Sequence, residues 1–367
     1  HITSYEIGNE ELLHTKLLTN WTNSIAYASD NPLYTATAVN QTGGRHVVYY
    51  DGGSRDIMYT HFNGSVWSEP EAIESDSNGN KRFGTSFNDI EVDSLGRPHV
   101  SYSYWDRVAN PDVNYLKYAW HNGSEWNITT LESITLNNGF VYTSLAIDSN
   151  DLPHISYYDP LNDTLRYSNF DGTSWSDSVL TSGGDNGKYN SIGIDSNDYP
   201  RISFYNDSSN DLELASWDGT AWSMEIVDST GNVGTYSSIA IDSTDRTRIA
   251  YCKASGNDLR YASQDGSSWG IEDVDTDRYC SYAAMSLGPN DAPRISYYDS
   301  YSDDAVLAYS NSVGQNEWTL VAVMEDGDSG AYMSMDTDSD GTAFMTYRDQ
   351  TNADLIHSEV YTATVWT

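Results

Sequence analysis

The stretch YNSIGIDSNDYPRISFYN, residues 189–206, has six counterparts elsewhere in the chain that align with it without a gap. Each copy opens on an aromatic residue, alternates small and apolar residues, passes through a polar turn and ends in a second strand rich in aromatic residues. The opening residues of the seven copies are Tyr34, Phe87, Tyr142, Tyr189, Tyr236, Tyr282 and Tyr332. Successive copies begin 46 residues apart (Tyr236 to Tyr282) to 55 residues apart (Phe87 to Tyr142). That period is typical of a four-stranded propeller blade.

The copy at residues 189–206 shows how one blade is built. Ile192 and Ile194 alternate with Ser191 and Gly193, which predicts a strand, and residues 195–200 (DSNDYP) have the composition of a tight turn. A third strand follows, and the turn WDGTAW at residues 217–222 leads into a fourth. The sequence therefore predicts an all-β fold, a seven-bladed β-propeller of four-stranded antiparallel blades.

The two ends of the chain predict how the ring closes. Trp21 lies 13 residues before Tyr34, the spacing that a blade tryptophan keeps from the next first strand, although no complete blade precedes it. Residues 354–358 match a third strand, but no clear outer strand follows them. Because open sheet edges promote aggregation, we expect the segment around residues 22–26 to pair with the last blade. This predicts one propeller domain over residues 21–367, preceded by an extension at residues 1–20.

The composition narrows the choice of partners. The chain has 54 acidic and 18 basic residues, a formal net charge of −36, which argues against nucleic acid as a partner. The acidic residues have a second explanation, since Asp is a preferred turn residue and every repeat contains such turns. No run of 18 apolar residues occurs, so no membrane span is predicted.

Two cysteines and a set of glycosylation motifs point to an oxidising compartment. Cys252 ends a second strand and Cys280 lies in the connection to the next blade, on the same predicted face. A disulfide is one interpretation, and two buried thiols are the other. Seven N-x-S/T motifs are present, at Asn20, Asn40, Asn63, Asn122, Asn127, Asn162 and Asn206. Together these features favour a secreted glycoprotein, extracellular or at the cell surface.

The turn before the blade tryptophan resembles a known motif. Ser168, Gly172, Ser174 and Trp175 fit the Asp-box of sialidase-like (BNR-type) propellers, S-x-D-x-G-x-T-W, but Asp171 lies one place late. Five of the seven blades carry this degenerate version. The resemblance implies a structural turn on the outer rim, away from any functional site.

The resemblance does not extend to the sialidase active site. Resemblance to the sialidase active site would imply an arginine triad and a Tyr–Glu pair. The arginines of this chain instead recur with the blade, as Arg201 and Arg248 do. We expect such repeated arginines to pair with turn acids. The sequence thus predicts a sialidase-like propeller that is not a sialidase.

Aromatic residues and acids predict a ligand site on the face that carries the loops between strands four and one and between strands two and three. The seven opening aromatics should ring the channel mouth, and Asp159 and Asp299 should lie on the same face. Aromatic faces beside carboxylates suit sugar recognition. The alternative, which the uniformity of the repeats favours, is that the tyrosines space the blades and the acids cap strand ends.

Departures from the repeat are a second source of candidates. The longer second blade carries Trp105, Asp106 and Arg107, which predict a partner surface unless the long loop is only a tolerated insertion. Asp336, Asp338 and Asp340 spell the first half of a calcium loop. The same segment also aligns with the ordinary hairpin of the other blades, which is the alternative interpretation. Calcium is the only cofactor that the sequence suggests.

Two hypotheses of function follow. The first is a non-catalytic extracellular recognition, adhesion or assembly module that presents its loops to a glycan, a protein partner or a second copy of itself. The second is a carbohydrate-active enzyme, a glycosidase or polysaccharide lyase. Lyases of anionic sugars need a cationic cleft, and this chain offers little beyond Lys81, Arg82 and Arg107, so we rank the enzyme second.

Overall fold

Seven antiparallel sheets follow one another along the chain, and their innermost strands surround a central channel. The computed structural model describes residues 15–27, 31–76, 81–83, 88–106, 112–135, 141–310, 317–324 and 327–366, with the backbone alone at 15–20, 82–83 and 362–366. In these residues the only helix is one 3₁₀ turn, Pro289–Asp291. The predicted seven-bladed β-propeller is confirmed.

Five of the blades are built from four consecutive strands, which run in order from the inner to the outer edge of the sheet. The first and third blades are β2 (Pro32–Val39), β3 (Arg45–Asp51), β4 (Asp56–Phe62), β5 (Glu71–Glu74), and β11 (Thr143–Ile147), β12 (Pro153–Asp159), β13 (Thr164–Phe170), β14 (Trp175–Val179). The fourth and fifth are β15 (Asn186–Ile194), β16 (Pro200–Asn206), β17 (Asp211–Trp217), β18 (Trp222–Asp228), and β19 (Val233–Ile241), β20 (Thr247–Lys253), β21 (Asp258–Asp265), β22 (Ser268–Asp275). The sixth is β23 (Cys280–Gly288), β24 (Ala292–Asp299), β25 (Asp304–Tyr309), β26 (Thr319–Met324).

The second blade departs from this plan at its inner edge. Two short strands, β6 (Lys81–Phe83) and β7 (Asp89–Val92), both pair with β8 (Pro98–Asp106), and β9 (Val113–His121) and β10 (Trp126–Thr135) complete the sheet. The prediction of a single first strand beginning near Phe87 is therefore replaced by a divided one, and Phe87 itself lies outside the described residues.

The N-terminal strand closes the ring, as predicted. The seventh blade consists of β27 (Ser329–Thr337), β28 (Ala343–Asp349) and β29 (Asp354–Trp366), and its outer strand is β1 (Thr15–Tyr27). Trp21 faces Val360 in the register, and the pairing continues to Thr15 opposite Trp366. The strand therefore begins six residues before the boundary at residue 21 that the tryptophan spacing suggests.

Two recurrent contacts join neighbouring blades. Blade tryptophans pack edge-on against an aromatic ring of the preceding blade, with Trp175 5.1 Å from Tyr118 and Trp222 5.1 Å from Tyr167. The first hairpins are also linked, because the N–H and hydroxyl of Ser149 donate to Asp198 at 2.9 and 2.8 Å. The same serine–aspartate pair recurs as Ser94–Asp151, Ser196–Asp245 and Ser243–Asp291. These turn acids of the repeat thus hold neighbouring blades together.

A third contact lies on the loop face, which we define by the loops at residues 160–163 and 180–185 and their counterparts in the other blades. The Tyr158 hydroxyl donates to Asp185 of the next blade at 2.8 Å, and Tyr298 donates to Asp328 at 2.9 Å. Between the fifth and sixth blades Cys252 takes the place of that tyrosine and forms a disulfide with Cys280. The predicted disulfide is confirmed.

Candidate functional site

Six of the seven opening aromatics meet at the mouth of the channel. Their neighbouring ring centroids are 4.5 to 5.1 Å apart, and each pair of ring planes is tilted by 52 to 54°. The members of this tyrosine ring are Tyr34, Tyr142, Tyr189, Tyr236, Tyr282 and Tyr332. The sequence therefore predicted where these side chains converge, whereas whether they bind a ligand stays a prediction.

The backbone at five of these six tyrosines is strained. Tyr189 and Tyr236 have φ of 50° and 53°, in the left-handed region that bulky residues rarely occupy, and Tyr34, Tyr282 and Tyr332 do the same. The register of the strand pair is interrupted at each of these five tyrosines, as between Lys188 and Ser191. Such a bulge re-aims a side chain, so we attribute the inward direction of the rings to it.

Hydrogen bonds between blades hold the bulges in place. The hydroxyl of Ser237 donates to the backbone carbonyl of Tyr189 at 2.7 Å, and that of Thr35 donates to the carbonyl of Tyr332 at 2.6 Å. Each bond joins the residue after one ring tyrosine to the ring tyrosine of the preceding blade. These inter-blade hydrogen bonds form a polar belt around the tyrosine ring, and they hold the strained backbone in its conformation.

A cavity of about 130 Å³ adjoins the tyrosine ring in the channel. Its wall combines aromatic rings with small polar groups, the latter including Asn88, Asn190, Ser191 and Ser238. Burial raises the pKa of Tyr34 to about 12 and those of Tyr142, Tyr236 and Tyr282 further, so these hydroxyls are neutral at physiological pH. The site therefore offers aromatic rings, hydroxyls and the Asn88 amide, whereas the Asn190 amide already donates to the Tyr142 and Gly187 carbonyls.

Three acids break the symmetry of the inner strands. Asp89 and Glu91 in β7, and Asp336 in β27, stand where other blades have small residues such as Ser144 or Ala146. Burial raises the pKa of Asp89 and of Asp336 to about 6, and burial together with the other two acids raises that of Glu91 well above its usual range. Sequence reasoning missed Asp89 and Glu91, although their departure from the repeat was visible.

Asp89 also has a structural role. Its Oδ2 accepts hydrogen bonds from the Leu145 N–H at 2.9 Å and the Ser144 hydroxyl at 2.8 Å. One blade further on, the Ser144 hydroxyl accepts the Ile192 N–H at 3.2 Å. A serine at position 89 is therefore able to accept the Leu145 N–H in the same way.

We expect Asp89→Ser to stabilise the protein at neutral pH. Because the pKa of Asp89 is higher in the folded than in the unfolded chain, its contribution to stability is complete below about pH 4 and is lost as the pH rises through about 6. At neutral pH the substitution should therefore raise the free energy of unfolding by about 1–3 kcal/mol. Denaturant unfolding between pH 4 and 7.5 measures it, with Asp340→Ser, at an exposed turn, as the matched control. A pH dependence identical to the parent protein would contradict the expectation.

The acids predicted on the loop face cap turns. Asp159 accepts the backbone N–H of Leu161 at 2.9 Å and the Asn162 side-chain amide at 2.8 Å. Asp299 accepts the N–H groups of Tyr279 and Tyr301 at 2.9 and 3.1 Å. Both aspartates are buried, so their carboxylates serve the loops that carry the candidate surface.

The surface predicted on the second blade is only partly visible. Trp105 is buried, Asp106 is half-buried at the end of β8, and Arg107 lies outside the described residues. Trp105 therefore contributes to the packing of the blade and not to an exposed aromatic surface. The spacing of the repeat does not show this burial.

The repeated arginines pair with acids, as expected. Arg248 donates to the turn acid Asp242 at 2.5 Å, and Arg201 donates to Asp195 at 3.2 Å. In the third strands, Arg260 donates to Asp228 of the preceding blade at 2.9 Å. These cations stabilise the blades.

The aspartates of the suggested calcium loop have separate hydrogen-bond partners. Asp336 accepts the Val39 N–H at 2.8 Å, whereas Asp338 accepts the N–H groups of Asp340 and Thr342 within its own turn. Over the part of the chain that the structure describes, no three His, Cys, Asp or Glu side chains are grouped so that they could hold a metal ion. Calcium at this segment stays a prediction.

The predicted glycosylation sites differ in access. Asn63, Asn122 and Asn162 are exposed, Asn40, Asn127 and Asn206 are half-buried, and the side chain of Asn20 lies outside the described residues. The amide of Asn206 donates to Glu213 at 2.7 Å.

None of the helical segments described is long and apolar enough to cross a membrane.

No protein-family model and no curated protein sequence matches the chain. Solved structures do resemble it. A protein of unknown function from Dyadobacter fermentans aligns with a TM-score of 0.60 at 11% identity, over 94% of this chain and 99% of that one. The SapL1 lectin, solved with alpha methyl fucoside, aligns with a TM-score of 0.56 at 12% identity, over 82% and 98% of the two chains. The NanB sialidase from Streptococcus pneumoniae aligns with a TM-score of 0.53 at 13% identity, over 85% and 70%.

At such identities the likeness concerns the fold alone. The chain is a seven-bladed β-propeller whose structural neighbours include lectins and sialidases. The fold is thus compatible with a binding role and with an enzymatic one, and the choice between them depends on the site.

Proposed function

We propose that this protein is a non-catalytic module that recognises glycans through the tyrosine ring on its loop face. The observation that supports the proposal is the convergence of six tyrosines, five of them in a strained backbone. Four of the six line a cavity that also carries hydroxyl and amide groups, namely Tyr142, Tyr189, Tyr236 and Tyr282. Strain that the surrounding structure maintains is a feature of binding sites. Aromatic faces suit the C–H faces of sugars, and the polar belt suits their hydroxyls.

The charge of the protein indicates which glycans to test. A formal charge of −36 repels sulfated and uronic-acid sugars, and the tyrosine ring contains no cationic side chain to offset that repulsion. We therefore propose uncharged glycans. The lectin among the structural neighbours fits a sugar-binding role, and the disulfide is compatible with a secreted or cell-surface location.

A substitution in the tyrosine ring tests the proposal. Tyr236 contacts two neighbours, Tyr189 and Tyr282, at 4.7 and 5.0 Å. We expect Tyr236→Ala to weaken binding to the neutral glycan that scores highest on an array by about tenfold, a loss of about 1.4 kcal/mol. Tyr236→Phe, which keeps the ring, should keep most of the affinity.

The control for this experiment is Tyr199→Ala, which removes a tyrosine from a hairpin on the opposite face. Thermal unfolding of each variant separates a lost contact from a lost fold. A parent protein that binds no neutral glycan on the array, or equal affinities for the parent and Tyr236→Ala, would overturn the proposal.

A carbohydrate-active enzyme is the second candidate, and the three acids of the inner strands, Asp89, Glu91 and Asp336, are the observation in its favour. Carboxyl groups whose pKa is raised to about 6, as those of Asp89 and Asp336 are, suit general acid–base catalysis. An assay for reducing ends and unsaturated products tests this candidate. Turnover that Asp336→Asn abolishes would favour the enzyme over the binding module.

A further inference from the structure

Two exposed tyrosines form a separate feature of the loop face. Tyr279 precedes β23, and Tyr301 lies in the loop between β24 and β25. Their side chains are 43% and 76% exposed, and their ring centroids are 5.4 Å apart with planes at 67°. We call them the tyrosine pair. The exposed area of two adjacent aromatic rings is typical of a binding surface.

The backbone beneath the tyrosine pair is fixed. One carboxylate, that of Asp299, accepts the N–H groups of both tyrosines at 2.9 and 3.1 Å. The Ser300 N–H donates to the Tyr279 carbonyl at 2.9 Å, and Tyr279 adjoins the disulfide at Cys280. Because the two segments are already joined, binding a ligand here costs little loop ordering.

The tyrosine pair is a departure from the repeat. The loop position of Tyr301 is occupied in the other described blades by small or aliphatic residues, namely Gly53, Leu161, Ser208, Ser255 and Thr351. A contact that the fold required would recur from blade to blade, as the tryptophan contacts do. The packing of the propeller therefore does not require a tyrosine at position 301.

The tyrosine pair lies close to the tyrosine ring along the chain. Tyr279 precedes Tyr282 by three residues, a distance of about 10 Å along an extended strand. Tyr298, three residues before Tyr301, is buried, and its ring centroid is 6.5 Å from that of Tyr282. A single sugar ring cannot reach both surfaces, but an oligosaccharide can.

We propose that the tyrosine pair is a second sugar-binding subsite, which holds an uncharged oligosaccharide whose other end lies at the tyrosine ring. The inference rests on the proposed function and adds to it the length of the ligand. The nearest cation along the chain, Arg278, is paired with Asp275 at 3.0 Å and lies 3.8 Å from Asp299. The subsite thus suits neutral sugar rings that stack on Tyr301 and not an anionic group.

Oligosaccharide ladders test the subsite. The probes are the cello-, xylo-, malto-, manno- and chito-oligosaccharides, each from the monosaccharide to the hexasaccharide, titrated calorimetrically against the full chain. For the series that binds, we expect affinity to rise about tenfold once the chain spans both surfaces. Tyr301→Ala should remove that rise and leave the affinity for the shortest ligand unchanged.

Leu161→Ala is the matched control, because Leu161 is 53% exposed at the equivalent loop position of the third blade. It should leave the length dependence intact, as should Tyr301→Phe, which shows that the ring is what matters. Affinity that does not depend on length, or that rises equally in Tyr301→Ala, overturns the subsite and leaves the tyrosine ring as the site. Absence of binding by all five series overturns the subsite and the proposed function together.

Discussion

Replacing both cysteines with alanine is expected to lower the free energy of unfolding by about 3–4 kcal/mol. Cys252 and Cys280 are 28 residues apart in sequence, and a crosslink over such a loop restricts the unfolded chain to that extent in the chain-entropy model. Both residues are buried between the fifth and sixth blades, so alanine also leaves space at the interface. Denaturant unfolding of the parent and of Cys252→Ala with Cys280→Ala measures the difference.

The neighbouring interfaces provide a control for this experiment. Where the fifth and sixth blades have the cysteines, the fourth and fifth have Tyr205 and Gly234, and the sixth and seventh have Tyr298 and Gly330. Cys252→Tyr with Cys280→Gly restores that pair and should recover part of the lost stability without a crosslink. If the alanine variant were as stable as the parent under oxidising conditions, the disulfide would not be what secures this interface.

The fold could be predicted from the sequence because the same pattern of strands and turns occurs seven times in the chain. One copy, residues 189–206, leaves the strand assignment open to error, but seven copies in one register fix the strands, the turns and the blade number together. Ring closure could be predicted from Trp21, which has the spacing of a blade tryptophan although no complete blade precedes it. Such a tryptophan predicts an outer strand, and that strand must pair with another blade. The start of that strand at Thr15 did not follow, since residues 15–20 lie outside any repeat.

The candidate site could be predicted only where it follows the repeat. The tyrosine ring repeats, and it converges as expected. Asp89 and Tyr301 each depart from the repeat in one blade, and Asp336 and Glu91 are acids at one repeat position in two blades. The sequence does not show which of these departures meet in space. Trp105 illustrates the opposite error, since it departs from the repeat and yet is buried. Burial depends on what the neighbouring blade places against a residue, and the spacing of a motif does not contain that information.

The close contact between blades that shapes the tyrosine ring gives the last prediction. Gly187 lies in β15, two residues before Tyr189, with a φ of 110° that L side chains rarely adopt. A Cβ atom there would lie 2.8 Å from the Cα of Leu165 in the preceding blade. Since that neighbour is backbone, it cannot turn aside. We expect Gly187→Ala to lower the free energy of unfolding by about 3 kcal/mol or more, through strain and overpacking.

Gly183→Ala is the matched control for Gly187→Ala, because Gly183 has a φ of 77° and open space around its Cβ position. It should cost only about 1 kcal/mol, the strain of the backbone alone. Equal losses in the two variants would mean that the contact with Leu165 yields. The Gly187 carbonyl accepts the side chain of Asn190 at 2.8 Å, and Asn190 donates to the Tyr142 carbonyl at 3.2 Å. A forced separation of these blades should therefore displace Tyr142 from Tyr189, and glycan affinity should fall together with stability.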